Sequence, residues 1–302
     1  IKDGLLDSNE YVRKTAVVSC IKLHRIDPSV VENENLVDKL YEMLRDRNPL
    51  VVMNVIAAIN EIQRESGGLK VTKQVVLYLI NRLTDFNDWQ LATIFDVILK
   101  YEISDEQEVF DLMNILESCL THSNSAVILG VASVFLKITQ DLPDIHSQVY
   151  IRLKESLLTL SLTTIPEVAF ACLNHIKLLA QRQPTVFESD YKLLYPKHND
   201  LAYVKLLKCD ILTLISNKGN CNDIMQEIAV VVHKAHHKIA RKAISSIASI
   251  IMKHKEAAET GIQLLLEFMD LEKEMVITDT IVVLKDVLRK YEKQKLLKEV
   301  FP

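Results

Sequence analysis

The sequence predicts an all-α fold in which paired helices stack into a right-handed superhelical solenoid, and three observations predict it. Eight times along the chain, a short polar turn gives way to an aliphatic residue that opens an apolar helix. Only 6 glycines and 7 prolines occur in 302 residues, which favours long helices over sheets with many tight turns. With 49% hydrophobic residues, the chain has ample material for a continuous core.

The residues that open these apolar helices recur at nearly even intervals. By subtraction of their numbers, the steps are 39, 40, 36, 41, 36, 35 and 37 residues. A period in this range with two helices per repeat is typical of HEAT and armadillo arrays, in which each helix pair buries its apolar faces against its neighbours. We therefore expect residues 1–302 to form a single solenoid of about eight helix pairs. The opening residues are Val12, Val51, Leu91, Val127, Val168, Val204, Ile239 and Val276.

The repeat that contains Val51 shows the helix pair most clearly. Apolar residues spaced by three and four positions mark one face of a first helix over 36–44 and of a second helix over 51–62. Between the two, Asn48 is expected to cap the second helix through its side-chain oxygen. Pro49 suits the first turn of that helix, where its missing N–H costs nothing.

The same pattern returns twice in the middle of the chain. A helix with apolar positions over 127–138 follows Asn124 and Ser125, either of which can cap it. Another helix, with apolar positions over 168–179, begins behind Pro166. Both stretches are therefore predicted to be second helices of their repeats.

Two connecting stretches are longer than the other polar turns. Residues 63–73 contain two adjacent glycines among charged residues, and residues 181–199 contain two prolines that flank a brief apolar segment over 191–195. Because proline disfavours helix in the residue before it, the second stretch predicts a first helix shortened to a couple of turns. We expect no domain boundary there, since the repeat rhythm resumes at Val204.

Charge and cysteine content exclude several classes of protein. The net charge of -4 gives no basic footprint for nucleic acid. Five cysteines without metal-type pairing indicate reduced thiols in the cytosol rather than a disulfide scaffold. No apolar run reaches the roughly 20 residues that span a bilayer. The chain begins at Ile1 without a signal sequence, and we expect an internal part of a longer protein.

The residue types that carry catalysis or bind metals do not form a convincing site. His233, His236 and His237 can bring two imidazoles together, but a metal site needs a third or fourth ligand, and a solvated turn is favoured. Cys209 and Cys221 lack a recognisable activating base and are interpreted as buried thiols. No phosphate-binding glycine loop or nucleophile motif occurs. We therefore assign no catalytic, cofactor-binding or metal-ligating residue, and no enzyme activity.

Two basic stretches offer a possible contact with acidic lipid head groups, where each cation contributes roughly 1 kcal/mol. The favoured alternative is an ordinary solvated helix face, because acidic residues are interleaved with the second stretch. The first stretch comprises His233, Lys234, His236, His237, Lys238, Arg241 and Lys242, and the second comprises Lys285, Arg289, Lys290, Lys293, Lys295 and Lys298.

Two further features could be recognised by a protein partner. Residues 203–206 read Tyr-Val-Lys-Leu, the form of a tyrosine sorting signal, but Val204 and Leu206 are needed for packing within a repeat helix. Trp89, the single tryptophan, could anchor a partner. We favour packing of Trp89 against its own helix, which carries apolar positions over 91–95. Partner surfaces of a solenoid are spread over one position per repeat, so no contact residue is assigned.

Several motifs along the chain are long enough to be specific. They occupy residues 11–17, 22–24, 48–52, 57–62, 199–206, 241–244 and 281–291. In this order they resemble the trunk of a β-adaptin, the large β chain of the heterotetrameric vesicle-coat adaptors. Further stretches at 67–68, 71–73, 79–82, 88–89 and 108–116 resemble the β chain of the fourth adaptor complex more than the clathrin-associated β chains. A common β-adaptin pattern has glycine after the tryptophan, whereas Gln90 follows Trp89 here.

The resemblance implies a function in assembly. A β-adaptin trunk encloses a medium and a small chain together with a second large chain, and the complex selects cargo for vesicle-mediated transport. An Arf-type GTPase recruits such complexes to membranes, and we expect its contact and those of accessory proteins to lie outside these 302 residues. For the fourth complex, the resemblance implies a cytoplasmic protein, peripheral on trans-Golgi network membranes, without obligatory clathrin.

Other helical-repeat functions remain open as alternatives. A clathrin-associated adaptor, a phosphatase scaffold and a transport receptor share the repeat pattern, and fold alone does not separate them. An armadillo transport receptor would need a ladder of tryptophans, whereas this chain has one. A helical-repeat reader of RNA would need stacking residues at a fixed place in each repeat and a basic groove, whereas the second helices here carry aliphatic residues and the chain is net acidic.

Overall fold

The computed structural model describes residues 1–103, 105–234, 236–271 and 273–291. Every regular element within these ranges is helical and none is a strand, so the all-α prediction is confirmed. The chain divides into two compact units, Ile1–Pro143 and Asp144–Pro302. The single array over residues 1–302 stays a prediction.

Sixteen α-helices lie in the described ranges, and short 3-10 turns join several of them. The first unit contains α1 (Lys2–Leu5), α2 (Glu10–Ile26), α3 (Pro28–Asn33), α4 (Leu36–Met43), α5 (Pro49–Ile62), α6 (Lys73–Ile80), α7 (Asp88–Ile98), α8 (Glu106–Leu116) and α9 (Ser125–Ile138). Then follow α10 (Pro143–Ser161), α11 (Pro166–Arg182), α12 (Ala202–Ile215), α13 (Cys221–Lys234), α14 (His237–Lys253), α15 (Ala258–Met269) and α16 (Glu274–Tyr291).

The helices stack in the manner that the repeat pattern predicts. In the first unit α2 packs on α5, and α7 packs on α9. In the second unit the second helices of successive repeats pack in the order α11, α12, α14 and α16, while α13 and α15 lie against α14 and α16. Each second helix is therefore covered by its neighbours in the array, which keeps its apolar face from water.

Most of the predicted opening residues enter the core. Val51, Leu91, Val127, Val204, Ile239 and Val276 are buried. Val12 is 37% exposed and Val168 is half-buried, so these two residues open their helices without entering the core. The next residue takes the buried position in each case, namely Arg13 in α2 and Ala169 in α11. Val12 and Val168 are the third residues of their helices, as Val51 is of α5, so the helix starts are in register and only the burial of this position differs.

Asparagine caps the second helix of every repeat in the first unit. The side chains of Asn9, Asn48, Asn87 and Asn124 each accept a backbone N–H of the first turn at 2.8–3.0 Å. These bonds satisfy donors that have no partner within the helix. The predicted cap Asn48 is confirmed, and Asn124 caps α9 rather than Ser125. Pro49 and Pro166 occupy the first turns of α5 and α11, as predicted.

The unusual Gln90 after Trp89 takes part in the cap of α7. Its side chain accepts the backbone N–H of Asn87 at 2.9 Å, while the side chain of Asn87 accepts the backbone N–H of Gln90 at 3.0 Å. This reciprocal pair is a capping box, which satisfies two backbone donors at once. Glycine at this position would supply only half of it.

Lysines near the ends of three second helices satisfy backbone carbonyls of the preceding repeat. We call this set the lysine ladder. The pairs are Lys137 with Leu99, Lys253 with Leu214 and Ser216, and Lys290 with Met252. The last carbonyls of a helix have no partner within it, and a cation there also meets the negative end of the helix dipole. Each of these helix ends is therefore completed by the next repeat.

The long connection before α12 is reduced further than predicted. Its apolar residues form two 3-10 turns, Pro184–Phe187 and Tyr191–Leu194, in place of a shortened α-helix. Phe187 and Leu194 are nevertheless fully buried. The prolines that flank this segment remove the donors and the conformations that a longer helix requires.

Candidate partner surfaces

Trp89 projects into solvent, and the prediction that it packs against its own helix is wrong. Its side chain is 85% exposed. Trp89 lies in the first turn of α7, whose buried face is formed by Leu91, Ile94 and Phe95. Because successive residues rotate about 100° around a helix axis, a residue two positions before Leu91 faces away from the core.

The same position carries an exposed apolar side chain in two other helices of the first unit. Tyr11, Leu50 and Trp89 are the second residues of α2, α5 and α7, each two positions after the capping asparagine. Tyr11 is 67% exposed and Leu50 is 51% exposed. We call these three side chains the helix-start row. Single exposed apolar residues are common on protein surfaces, but repetition at one position of successive repeats is how solenoids form binding surfaces.

A buried arginine holds the turns that carry two members of this row, Tyr11 and Leu50. Arg13 donates two hydrogen bonds to the carboxylate of Asp46, from Nε to Oδ2 at 2.7 Å and from Nη2 to Oδ1 at 3.0 Å. Its Nη1 also donates to the carbonyls of Asp7 and Ser8, each at 2.9 Å. Arg82 adds hydrogen bonds to the carbonyls of Asp46 and Arg47, both at 2.7 Å. These contacts tie together the turns before α2 and α5.

The environment of Asp46 keeps its carboxylate ionised. Burial by itself raises the pKa of Asp46, but the hydrogen bonds from Arg13 and Asn48 and the charge of Arg13 outweigh burial, so the pKa lies below its usual value. The hydrogen bond to Asp46 in turn raises the pKa of Arg13, against the opposing effect of burial. The pair therefore stays fully charged at neutral pH.

The tyrosine of residues 203–206 lies at the equivalent helix position in the second unit. Tyr203 is the second residue of α12, and its ring edge contacts the ring of Phe170 with centroids 5.1 Å apart. Val204 is buried and Leu206 is half-buried. A sorting signal must be extended and must present its tyrosine and its aliphatic residue to a receptor. The place of residues 203–206 in a packed helix therefore supports the interpretation that they serve packing.

The three histidines of the predicted turn have separate surroundings. The ring of His233 packs edge-on to Phe268, His236 is exposed at the start of α14, and His237 Nε2 lies 3.6 Å from Oδ2 of Asp279. The part of the chain that the structure describes contains no group of three or more side chains placed to hold a metal ion.

Several cations of the two basic stretches contact carboxylates or backbone carbonyls of this chain. In the first stretch, Arg241 Nε lies 3.2 Å from Asp279, and Lys242 pairs with Asp210. In the second, Lys285 lies 3.1 Å from Asp286, and Lys290 belongs to the lysine ladder. Lys293, Lys295 and Lys298 lie outside the described residues. Ion pairing reduces the charge that these stretches present to a membrane.

Asp210 joins three second helices of the second unit. It pairs with Lys177 of α11 at 2.7 Å and with Lys242 of α14. Burial raises the pKa of Asp210, but the hydrogen bonds and charges of the two lysines outweigh burial and lower it below its usual value. Each bond crosses from one repeat to the next.

Replacing Asp210 with asparagine is expected to lower the free energy of unfolding by about 1–2 kcal/mol at neutral pH, between the values for exposed and buried ion pairs. Because the folded pKa is lowered, this contribution is complete above the unfolded value of about 4 and is lost as pH falls through the folded pKa. Urea unfolding of both proteins at about pH 7 and about pH 3 measures the difference, which should shrink in acid. A difference that is equal at both pH values would contradict this account.

All five cysteines are buried and reduced. Burial raises the pKa of Cys209 to about 12 and that of Cys172 to about 11, so both are thiols at neutral pH. A thiol is a far weaker nucleophile than a thiolate.

None of the helices in the described ranges is long and apolar enough to cross a membrane.

Comparison with known proteins identifies the relatives of this chain. The family model described as "Adaptin N terminal region" matches residues 1–301. Beta-adaptin-like protein A of Arabidopsis thaliana is 37% identical over 300 residues, with 95% of this chain and 35% of that protein covered. AP-4 complex subunit beta of Dictyostelium discoideum is 34% identical, with 86% of this chain and 31% of that protein covered. AP-1 complex subunit beta-1 of Mus musculus is 32% identical, with coverage of 96% and 31%.

A structural comparison supports the same fold. The chain is similar to one from a structure described as "Homology model of the full-length AP-3 complex in an intermediate open conformation", with a TM-score of 0.69 and 14% identity. The match covers 98% of this chain and 56% of that chain. It confirms the predicted helical solenoid. The chain spans about a third of the length of the curated relatives given above.

Proposed function

This chain belongs to the adaptin family, and from that membership we propose that it is a non-enzymatic scaffold segment of a vesicle-coat adaptor complex. The family match along residues 1–301 is the observation that carries the proposal. Its proposed partners are a second large chain, a medium chain and a small chain. Association with membranes would be peripheral and would occur through the assembled complex.

Within this family we propose the β chain of the fourth adaptor complex, acting in vesicle-mediated transport from the trans-Golgi network. The motifs at 67–68, 79–82 and 108–116 support that subtype, as does the 34% identity to the Dictyostelium AP-4 subunit. The clathrin-associated AP-1 class is the alternative, since its mouse subunit has a similar identity of 32%.

The helix-start row is the surface that we propose for contact with another chain of the complex. Exposed aromatic side chains serve as anchors because they bury a large area and lose little conformational entropy. The network around Arg13 fixes the turns that present Tyr11 and Leu50, which lowers the cost of ordering on binding.

Capture of the full-length protein from cytosol, with its accompanying chains identified by mass spectrometry, tests the assignment. Recovery of the large, medium and small chains of the fourth complex, with clathrin near background, would support both function and subtype. Recovery of clathrin with the chains of another adaptor would retain the family function and reject the subtype. Phosphatase subunits or nuclear cargo in their place would reject the adaptor function.

Replacing Trp89 with serine is expected to weaken capture of at least one adaptor chain by tenfold or more, because anchor residues contribute about 2 kcal/mol or more. Leu50→Ser should have a smaller effect in the same direction. Phe110→Ser is the matched control, since Phe110 is an exposed aromatic residue of α8 outside the row. Equal recovery of all chains by the Trp89 variant and the control would reject the row as a contact surface.

A further inference from the structure

A basic groove lies in the second unit, between the loop before α12 and the outer face of α13. Its volume is about 260 Å³. We define the basic groove by Lys197, His198, Lys205, Glu227, Val230 and Lys234, which line it. The volume is smaller than that of a typical small-molecule pocket, and it suits one or two side chains of a bound peptide.

The groove concentrates positive charge on a chain whose net charge is -4. Three lysines face one glutamate there. Lys205 donates from Nζ to the carbonyl of His198 at 2.9 Å, which positions the ammonium without neutralising it. Lys197 and Lys234 form no ion pair with any residue in the described ranges. These charges are therefore available to an acidic partner.

Several cations near the groove form ion pairs with carboxylates. Lys208 pairs with Asp200 at 2.6 Å, Lys242 pairs with Asp210, and Arg241 lies 3.2 Å from Asp279. The lysines of the groove differ from these neighbouring cations because no aspartate in the described part of the chain forms an ion pair with them. Positive charge that the fold leaves uncompensated favours association with carboxylates and speeds their approach.

The groove also offers an apolar contact. Val230 is 43% exposed on α13, although the adjacent Val231 and Val232 of the same helix are buried. Buried Pro196 lines the opposite side. An aliphatic side chain of a partner can cover Val230 and remove its surface from water.

The wall of the groove is held in place by a buried ion pair. Lys208 is 2% exposed, and its Nζ donates to Asp200 Oδ2 at 2.6 Å and to the carbonyl of Tyr195 at 3.3 Å. The same carboxylate oxygen accepts the backbone N–H of Lys197 at 2.8 Å. These contacts fix the loop that carries Lys197 and His198, so binding does not have to order it.

We propose that the basic groove binds an acidic peptide segment of another protein, with an aliphatic side chain on Val230 and flanking carboxylates on Lys197, Lys205 and Lys234. The three lysines favour a partner with acidic side chains. The exposed Val230 favours one apolar side chain between those acidic side chains. Val230 disfavours a polyphosphorylated lipid head group, which would place its phosphates against an apolar side chain. The inference is independent of the adaptor subtype.

The experiment titrates the full-length protein, purified with its accompanying chains, into a fluorescent peptide that has one leucine between pairs of glutamates. Saturable binding is expected, and it should weaken as salt concentration rises. A peptide with serine in place of leucine should bind at least fivefold more weakly. Absence of saturable binding by the wild-type protein would overturn the proposal.

Charge reversal locates the site. Lys197→Glu combined with Lys205→Glu is expected to weaken binding by tenfold or more. Lys192→Glu combined with Lys255→Glu is the matched control, because it changes net charge equally at exposed lysines outside the groove. Val230→Asp supplies a second test that leaves the lysines intact, and it should also weaken binding tenfold. Equal loss in the control, or no loss in the groove variants, would overturn the proposal.

Vesicles that contain phosphoinositides are titrated in parallel to distinguish a lipid from a peptide. The groove variants should leave vesicle binding unchanged. If they abolish vesicle binding but not peptide binding, the groove recognises lipid and the proposal is wrong. Circular dichroism of each variant, unchanged from the wild type, ensures that a loss of binding reflects the groove.

Discussion

Replacing Arg13 with methionine is expected to reduce the free energy of unfolding of the first unit by about 3 kcal/mol, at the lower end of the range for breaking a buried ion pair. Methionine keeps much of the side-chain volume but leaves Asp46 as a buried carboxylate without its cation. The carbonyls of Asp7 and Ser8 also lose a donor. Hydrogen exchange of amides in α2 and α5, with urea unfolding, measures the loss.

The matched control is Arg25→Met. Arg25 also pairs with an acid one repeat away, Glu61, at 2.7 Å, but that pair is exposed to solvent. Because solvent screens exposed pairs, this substitution should change stability little. Adding Asp46→Asn to the Arg13 variant should recover part of the loss, since it removes the unpaired charge. If the Arg13 and Arg25 variants lose equal stability, burial of the Arg13 pair is not the cause.

Replacing Phe95 with alanine is expected to lower stability by about 3–5 kcal/mol, because it leaves a cavity at a fully buried aromatic position. Phe95 of α7 packs against Gly130 of α9. A Cβ added at Gly130 would come within 2.6 Å of Phe95 Cδ2. Glycine within a helix costs about 1 kcal/mol relative to alanine, and here it permits the close approach of two helices. Thermal and urea unfolding measure the effect.

A double-mutant cycle separates this contact from general damage to the core. Gly130→Ala alone should destabilise by about 1–3 kcal/mol, because the methyl group meets the ring. In a Phe95→Leu background, the same substitution should cost at least about 1 kcal/mol less, since the clash is relieved and alanine favours helix. Effects that add to within about 0.5 kcal/mol would show that the two residues do not interact.

Local rules predicted the helix pairs of this protein well. The caps at Asn48 and Asn124 and the prolines at the starts of α5 and α11 follow from side chains acting on backbone groups a few residues away. Periodic aliphatic residues likewise place most of the core. The prediction for Trp89 is wrong because it rests on hydrophobicity alone. The apolar residues of α7 show which face of the helix meets the core, and Trp89 lies outside that face.

The contacts between repeats could not be read from the sequence. Arg13 and Asp46 are 33 positions apart, as are Lys177 and Asp210, and nothing local marks either pair. The basic groove depends on the placement of the loop before α12 against α13, which the paired Lys208 and Asp200 determine. For the helix-start row, a signal was present, since each member stands two residues after a capping asparagine.

The lysine ladder has a consequence for how such an array changes during evolution. Each lysine completes the helix end of the repeat before it, so a duplicated repeat would bring both a donor for its predecessor and carbonyls for its successor. Insertion or deletion of a whole repeat therefore leaves the carbonyls at these helix ends with their lysine donors. Insertion or deletion of part of a repeat would separate the carbonyls from those lysines.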